Sequence, residues 1–277
     1  MESLSTAVAP APWTLRGDAW WFVLSVFGNS TDNIDASQYA PLEASSAKIA
    51  QEPGNFKGGV SLAMVLRYTE SPVGPYDELL IIPGAFDSPP FSDDKENPRV
   101  TRIYVSTLAS VINGRKNWNT PKHLARFEFT EQKDGTRDVR VYPLTPSSPG
   151  DNETYSAKPC FAARITPSWF VPAPAIPFHT KFLPFTVDLV QPPLEQSEHA
   201  DKDGLVGTNV WQKMLPSFSG KIKLVRMVGL LEGEKYGDGV DFPNIRPWKT
   251  GIYWPDVTIE FPESQKWKDE RQYGTFA

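Results

Sequence analysis

The sequence predicts a β-dominated α+β fold, a single-domain antiparallel β-barrel with short helices. Proline accounts for 27 of the 277 residues, about twice its usual share, and it removes a backbone donor that a long helix needs. Aromatic residues reach 12%, and they suit the half-buried surface of a sheet. Many short apolar or alternating segments are separated by polar loops, and closure of such strands into a barrel removes exposed edges.

Two kinds of pattern predict the strands. In Val60–Tyr68 every second residue is apolar, which predicts a strand with one buried face. Glu78–Pro83 is a short apolar run that ends at the turn signal Pro83-Gly84, which predicts a buried strand. Further strands are predicted at Trp20–Phe27, Thr101–Thr107, Phe161–Ile165, Phe185–Val190, Lys221–Val228 and Val257–Phe261.

A β-hairpin is predicted where two alternating segments are joined by a turn. Ala125–Phe129 places two aromatic side chains on one face, Lys133–Gly135 supplies the turn, and Val139 and Val141 belong to the return strand. Helical signal is confined to short pieces at Ala36–Ala50, Thr107–Asn113 and Val210–Leu215.

Loops and chain ends complete the organisation. Polar or proline-rich connectors are expected at Asp87–Pro98, Pro143–Pro159, Gln191–Gly204 and in the charged segment after Pro262. The chain has no internal repeat and no linker that divides it, so a single domain over residues 1–277 is expected. Residues 1–12 and 263–277 are expected to be peripheral tails.

The composition argues against several classes of function. A formal net charge of -5 offers no basic surface for nucleic acid. The longest apolar run, Trp20–Phe27, has eight residues, whereas a membrane helix needs about 20. The first residues lack the pattern of a signal peptide, so a cytoplasmic protein without a membrane partner is expected. The single Cys160 excludes an intrachain disulfide and argues against a thiolate metal site.

Two short segments carry residues that suit chemistry. In Gly74–Leu79 an acid, Glu78, stands at the mouth of the buried strand. In Gly114–Leu124 a lysine, Lys122, follows a proline and directly precedes the strand that carries Phe127. A positioned carboxyl group and an amine are groups that acid–base and nucleophilic catalysis use.

Together these segments resemble the acetoacetate decarboxylase family, whose members carry Gly-x-Tyr-x-Glu followed by Gly-Arg-Glu-x-x-x-x-Pro-Lys-Lys. The matching residues here are Gly74, Tyr76, Glu78, Gly114, Arg115, Pro121 and Lys122. The resemblance covers about Val60 to Phe129, under a third of the chain. It implies a β-barrel-like domain with a buried lysine that forms a Schiff base with a ketone or 2-oxo acid, and it implies a homo-oligomer.

The resemblance also implies roles for individual residues. Lys122 corresponds to the nucleophile, Glu78 to an acid–base or positioning group and His123 to an assisting group. We expect the substrate-binding surface to include Arg115, Tyr76, Trp118 and Phe127. A free lysine has a pKa near 10.4, so a nucleophilic lysine at pH 7 needs a shift of about three units, or about 4 kcal/mol. Burial or a neighbouring cation supplies that shift in acetoacetate decarboxylase.

Four positions depart from the family pattern. His123 replaces the second lysine of the motif, and Lys116 replaces the glutamate after Gly-Arg. On an ungapped alignment Ala63 stands where the decarboxylases have a pocket glutamate. Asp18, with Arg16 close by, stands where they have the arginine that binds the substrate carboxylate. These losses of charge favour a larger and more apolar oxo substrate, or a different reaction on the same scaffold.

Three functions therefore stay open. The first is a Schiff-base lyase, either a decarboxylase or an aldolase-dehydratase, that acts on a β-keto or 2-oxo acid in a biosynthetic pathway. The second is a cyclase or isomerase that uses the same apolar pocket without an imine. The third is a non-catalytic binder of a small molecule. No metal or organic cofactor is expected, since an imine-forming lysine needs neither, and the three histidines are not at metal-ligand spacing.

Overall fold

The fold is built mainly from β-strands. The computed structural model describes residues 8–26, 34, 36–46, 56–145, 154–168, 175–183 and 187–268. The strands are β1 (Trp13–Ser25), β2 (Phe56–Gly58), β3 (Ser61–Glu70), β4 (Tyr76–Ile82), β5 (Ala85–Asp87), β6 (Glu96–Pro98), β7 (Arg102–Val105), β8 (Lys122–Glu131), β9 (Arg137–Pro143), β10 (Phe161–Pro167), β11 (Ile176–His179), β12 (Leu189–Gln191), β13 (Val210–Met214), β14 (Ser217–Gly229), β15 (Thr250–Phe261) and β16 (Gln265–Lys268). The helices are α1 (Pro41–Ala44), α2 (Leu108–Trp118) and α3 (Ala200–Asp203), with 3-10 turns at Ala36–Gln38 and Thr180–Phe182.

Ten strands form one sheet in the order β10-β9-β8-β7-β4-β3-β1-β15-β14-β11, and β10 also pairs with β14. Two small sheets have the orders β12-β13-β16 and β2-β5-β6. Within the large sheet β7 and β8 are parallel, with Ile103 opposite Lys122, and the other pairs are antiparallel. Parallel neighbours need a crossover connection, and α2 provides it, so this helix packs against both strands.

Apolar side chains pack on both faces of the large sheet. One face contributes to the first apolar cluster, which includes Trp13 and Met64, and the other to the second apolar cluster, which includes Trp20 and Val65. Met64 and Val65 are consecutive in β3 and therefore point to opposite faces. The expectation of one buried face for Val60–Tyr68 is wrong, because this strand is covered on both sides.

Most of the predicted strands are present. The predictions at Trp20–Phe27, Val60–Tyr68, Glu78–Pro83, Thr101–Thr107, Phe161–Ile165, Lys221–Val228 and Val257–Phe261 are confirmed by β1, β3, β4, β7, β10, β14 and β15, although Phe27 lies outside the described residues. The predicted hairpin is the antiparallel pair β8–β9. In Phe185–Val190 only Leu189 and Val190 are in a strand, and Phe185 and Thr186 lie outside the described residues.

The three helix predictions have different outcomes. Thr107–Asn113 is confirmed by α2, which continues to Trp118. Ala36–Ala50 contains a 3-10 turn and α1, and its residues 47–50 lie outside the described part of the chain. The helix predicted at Val210–Leu215 is wrong, because residues 210–214 form β13. This strand pairs with β12 on one side and with β16 on the other. These pairings satisfy the backbone groups that a helix would satisfy internally.

Parts of the expected loops and tails join the fold. The connector Asp87–Pro98 contributes to β5 and β6, which pair with each other. In the expected C-terminal tail, β16 pairs with β13, and the buried Ser264 hydroxyl donates to Asn117 O or Gln212 Oε1. In the expected N-terminal tail, the backbone of Ala9 donates to Asn113 Oδ1.

The β-dominated fold with short helices is thereby confirmed. The closed barrel and the single domain over residues 1–277 stay predictions. In the part of the chain that the structure describes, no helix has both the length and the apolar character to cross a membrane.

Removal of β16 should destabilise the protein. A chain that ends at Pro262 loses the pairing of β13 with β16 and the hydrogen bonding of Ser264, which is worth about 1 kcal/mol or more. We expect the midpoint of thermal unfolding to fall by a few degrees. A chain that ends at Lys268 keeps these contacts and is the control. Equal unfolding midpoints of the two truncated chains would contradict a structural role for β16.

Candidate active site

A lysine and a carboxylate meet where β4, α2 and β8 come together. Lys122 is the first residue of β8, and its Nζ donates to Glu78 Oε2 of β4 at 2.8 Å and to Ser110 Oγ of α2 at 3.0 Å. Lys122 is 5% exposed and Glu78 is 2% exposed, so the ion pair lies out of bulk water. The pairing of β4 with β7, and of β7 with β8, sets this spacing across the sheet.

The local sequence around α2 directs the chain into this geometry. The Thr107 side chain caps the helix start by accepting from Ser110 N. The helix ends at Asn119, whose backbone is left-handed with φ 53° and whose side-chain amide donates to Pro192 O and Val210 O. Asparagine tolerates this conformation better than most residues. Thr120 and Pro121 then lead directly into Lys122.

Gly114 leaves room for the lysine side chain on the surface of α2. A Cβ atom at position 114 would lie 2.5 Å from Lys122 Cδ and 2.7 Å from its Cε. The Lys122 stem cannot move away easily, because its Nζ is held by Glu78 and Ser110. Glycine costs a helix about 1 kcal/mol relative to alanine, so close approach of the lysine explains the glycine in the Gly-Arg motif.

Tyr68 completes the polar contacts of Glu78, and Tyr76 lies beside Lys122. Tyr68 of β3 donates to Glu78 Oε1 at 3.2 Å, and the Tyr76 ring centroid lies 5.2 Å from Lys122 Nζ. Burial first, and then the charge of Glu78, raise the pKa of both phenols well above its usual range. Both therefore stay protonated at neutral pH. Sequence reasoning missed Tyr68 and Ser110, although Tyr68 lies directly opposite Tyr76 in the β3–β4 pair.

The ion pair lines a small apolar cavity of about 50 Å³. Tyr76 and Trp118, which the sequence predicted as substrate-binding residues, also line it. The other side chains of its wall are almost all apolar and include Trp13, Met64, Leu80, Ile103 and Phe218. Among the described residues that line it, Lys122 is the one cation. A substrate carboxylate in this cavity would therefore have no second cation to pair with.

Arg115 and His123, which the sequence predicted as a substrate-binding and an assisting residue, are not among the residues that line this cavity. Both bind the buried Glu43 of α1: Arg115 Nη1 at 2.9 Å from Oε1 and His123 Nε2 at 2.7 Å from Oε2. His123 follows Lys122 in a strand and therefore points to the opposite side. Arg115 also donates to Lys122 O at 3.4 Å, so it braces the backbone of the lysine.

The Glu43 carboxylate is the centre of this second ionic cluster. Burial opposes its charge, but His123 and Arg115 outweigh that effect and lower the pKa of Glu43 to about 2. Glu43 therefore stays ionised at all ordinary pH values. Each oxygen of the Glu43 carboxylate has a partner, Arg115 at Oε1 and His123 at Oε2, which is a structural arrangement.

The remaining predicted or aligned positions also lie away from the cavity. Phe127 has the same strand parity as His123 and packs against the second apolar cluster. Ala63 is buried in that second cluster, and Lys116 is exposed. Asp18 accepts from Tyr253 and Arg16 pairs with Asp256. None of these residues places a charge beside Lys122, and no group of three potential metal ligands occurs among the described residues.

The sheet with its crossover helix beside a buried lysine defines an acetoacetate decarboxylase-like fold. Acetoacetate decarboxylase from Legionella pneumophila aligns with a TM-score of 0.53 at 10% sequence identity over 96% of each chain. A second acetoacetate decarboxylase structure gives a TM-score of 0.47 at 12% identity, over 97% of this chain and 95% of that one. At these identities the likeness concerns the fold alone.

The sequence is also similar to a plant protein. NEOXANTHIN-DEFICIENT 1 from Oryza sativa subsp. japonica is 32% identical over 120 residues, which amount to 43% of this chain. The match spans about a third of that protein, 35% of its length. No protein-family model matches the chain.

Replacement of Gly114 by alanine should destabilise the protein, although alanine is the better helix former. We expect Gly114→Ala to lower the free energy of unfolding by about 1–3 kcal/mol, because the new methyl group overlaps the Lys122 stem. In a Lys122→Ala background that overlap is gone, and the same substitution should cost little or should stabilise. Urea unfolding of the four proteins in this double-mutant cycle measures the coupling. Additive effects would contradict the contact.

Replacement of Glu43 by glutamine should remove a pH-dependent part of the stability. The folded pKa of about 2 lies below the usual 4.5, so this stabilisation is complete above about pH 5 and is lost as the pH falls through 2. We expect Glu43→Gln to cost about 3 kcal/mol at pH 7, and the difference from the unaltered protein to shrink below pH 5. Glu131→Gln, at an exposed ion pair, is the control and should change little. A pH-independent difference for Glu43→Gln would contradict the assignment.

Proposed function

We propose that this chain is a Schiff-base-forming lyase, of the decarboxylase type, that acts on an oxo acid with an apolar body. The observation that supports it best is the buried Lys122, whose amine faces an apolar cavity with Glu78 at hydrogen-bond distance. The acetoacetate decarboxylase-like fold adds to this support. Lys122 is proposed as the nucleophile and Glu78 as the acid–base group.

The amine must first lose a proton, and Glu78 is the group that can accept it. Charged partners are costly to keep in apolar surroundings, so a neutral amine beside a neutral carboxylic acid competes with the ion pair there. The proton moves from Lys122 Nζ along the 2.8 Å hydrogen bond to Glu78 Oε2. Ser110 Oγ, at 3.0 Å, holds the nitrogen in place during this transfer.

The amine then attacks the carbonyl carbon of the substrate and forms a carbinolamine. Glu78 returns its proton to the carbinolamine oxygen, water leaves, and a protonated imine remains on Lys122 beside the Glu78 carboxylate. The carboxylate of a β-keto acid would lie in surroundings with no cation other than this imine. When this carboxylate leaves as carbon dioxide, a charge is removed from the apolar cavity. The electron pair of the broken carbon–carbon bond passes to the imine nitrogen, and an enamine forms. Protonation of the enamine and hydrolysis by water release the product.

Trapping with borohydride tests the imine. The protein is incubated with acetoacetate or 3-oxododecanoate and reduced, and the adduct is located by peptide mass spectrometry. We expect the adduct on Lys122, none on a Lys122→Met protein, and an unchanged yield on Lys116→Met, which alters an exposed lysine of α2. Glu78→Gln should slow trapping about 100-fold, because it removes the proton acceptor. An adduct spread over exposed lysines, or its absence, would rule out the lyase.

A second candidate is a binder or isomerase that uses the cavity without an imine. The observation that favours it is the ion pair itself, since the Glu78 carboxylate at 2.8 Å already engages the Lys122 nitrogen that would have to attack a carbonyl carbon. The similarity to NEOXANTHIN-DEFICIENT 1, whose name denotes no lyase, is in keeping with such a role. In that case Lys122 and Glu78 bind an oxygen of the ligand. Lys122→Arg should then retain ligand binding or isomerisation, because arginine still supplies a donor.

Further expectations about the fold, the assembly and the partners belong to the same proposal. The pairing of β10 with both β9 and β14 supports a closed barrel. We also propose a homo-oligomer located in the cytoplasm, with a small molecule as ligand and no nucleic acid or membrane partner. The formal charge of -5 supports the absence of a nucleic-acid partner.

A further inference from the structure

A second and larger apolar cavity adjoins the one at Lys122. Its volume is about 250 Å³, and its described lining is apolar apart from Thr180. Thr180 Oγ1 accepts from Phe218 N, so part of this hydroxyl's bonding capacity is already used. Ligand pockets in proteins are mostly apolar with a few placed polar groups, and this cavity has that character.

The two cavities share walls. Met64, Ile82, Leu189, Pro216 and Phe218 line both of them. The cavity at Lys122, at about 50 Å³, is close to the space of one or two water molecules, so it suits a small part of a ligand, such as a carbonyl group with the atoms next to it. The larger cavity is then the space next to that group in which the rest of a ligand can lie.

One polar atom in the wall of the large cavity has no protein partner. Trp21 lines this cavity and is 6% exposed, and its indole Nε1 makes no hydrogen bond within the described residues. The ring packs against Phe218 and Trp254, with centroids 5.2 Å away in each case, and neither ring offers a strong acceptor. A buried donor without a partner is unfavourable, and indole N–H can only donate. An oxygen atom of a ligand would satisfy it.

We propose that the large cavity binds the chain of a long, mainly hydrocarbon carbonyl compound, and that this chain bears an oxygen which accepts from Trp21 Nε1. The carbonyl end would lie at Lys122, and this part of the inference rests on the proposed function. The chain-binding site does not depend on imine formation, because it is defined by apolar walls and one donor. A short oxo acid would leave the large cavity and the indole N–H unused.

The chain-binding site is tested with ligands that cannot form an imine. Secondary alcohols from 2-butanol to 2-dodecanol are titrated by calorimetry into the unaltered protein. We expect the affinity to rise about fourfold per methylene group until the cavity is filled. Leu62→Trp narrows the large cavity and should end this rise at a shorter chain. Leu224→Trp adds the same ring at a side chain that is 43% exposed and should change nothing. An affinity that does not grow with chain length would overturn the proposal, whatever the fate of Leu62→Trp.

The role of Trp21 is tested with oxygen-substituted chains. Analogues of 2-dodecanol carry one ether oxygen at successive chain positions. In the unaltered protein we expect weaker binding at most positions and about fivefold to tenfold tighter binding at one, where the oxygen meets the indole N–H. Trp21→Phe should abolish this gain, measured as the ratio of the affinity for the ether analogue to the affinity of the same variant for 2-dodecanol. Trp254→Phe is the matched control, because it removes another unpaired indole N–H that does not line the cavity. A gain that survives in Trp21→Phe would rule out the assigned donor.

The outcomes separate the two proposals. Tight binding of long alcohols, without borohydride trapping of any ketone, would retain the chain-binding site and reject the lyase. Trapping of acetoacetate on Lys122 without affinity for long alcohols would retain the lyase and reject the chain-binding site.

Discussion

The buried pair of Lys122 and Glu78 is the interaction on which the site depends. Two charges out of water are tolerated only when their hydrogen-bonding capacity is met, and here Ser110 and Tyr68 add the missing contacts. The parallel pair β7–β8 brings this about, because it requires the crossover helix that carries Ser110. The same helix must carry no side chain at Gly114, because the stem of Lys122 packs directly against that position. Topology and one glycine together therefore put the amine in an apolar cavity.

A second ionic cluster stabilises the other side of the same strand. Glu43 is held by Arg115 and His123, and Arg115 also binds the carbonyl group of Lys122. Lys122 and His123, which are consecutive in β8, thus belong to two separate ionic clusters. Lys122 lies with Glu78 in the cavity, and His123 lies with Glu43 and Arg115 on the other side of the strand. Arg115 therefore belongs to the motif although it does not line the cavity at Lys122. It positions the lysine through the backbone.

The sequence was sufficient to single out Lys122 and Glu78 but not the residues that surround them. The spacing of the two motifs brought Lys122 and Glu78 together, whereas Glu43 is 72 residues from Arg115, and no local pattern links them. Strand alternation could have separated His123 and Phe127 from Lys122, but it does not tell which side holds the cavity. The strand at Val210–Met214 depended on pairing with β16, a contact between distant segments. Local signals predict elements, and long-range pairing decides their neighbours.

Among the described residues that line the cavity, Lys122 is the one cation. In the proposed lyase, this changes how Lys122 can become a nucleophile. A second ammonium group beside a lysine repels the proton on the lysine nitrogen. The neutral amine then forms independently of the ligand that is bound. In this chain Arg115 lies on the opposite side of β8 and is bound to Glu43, so in the proposed lyase the proton passes to Glu78. That transfer is favoured only while water is absent, since water stabilises both ions. An apolar chain that fills the adjoining cavity would exclude this water. In the proposed lyase, ligand shape and lysine reactivity are then coupled, and a chain of low polarity favours the chemistry as well as binding.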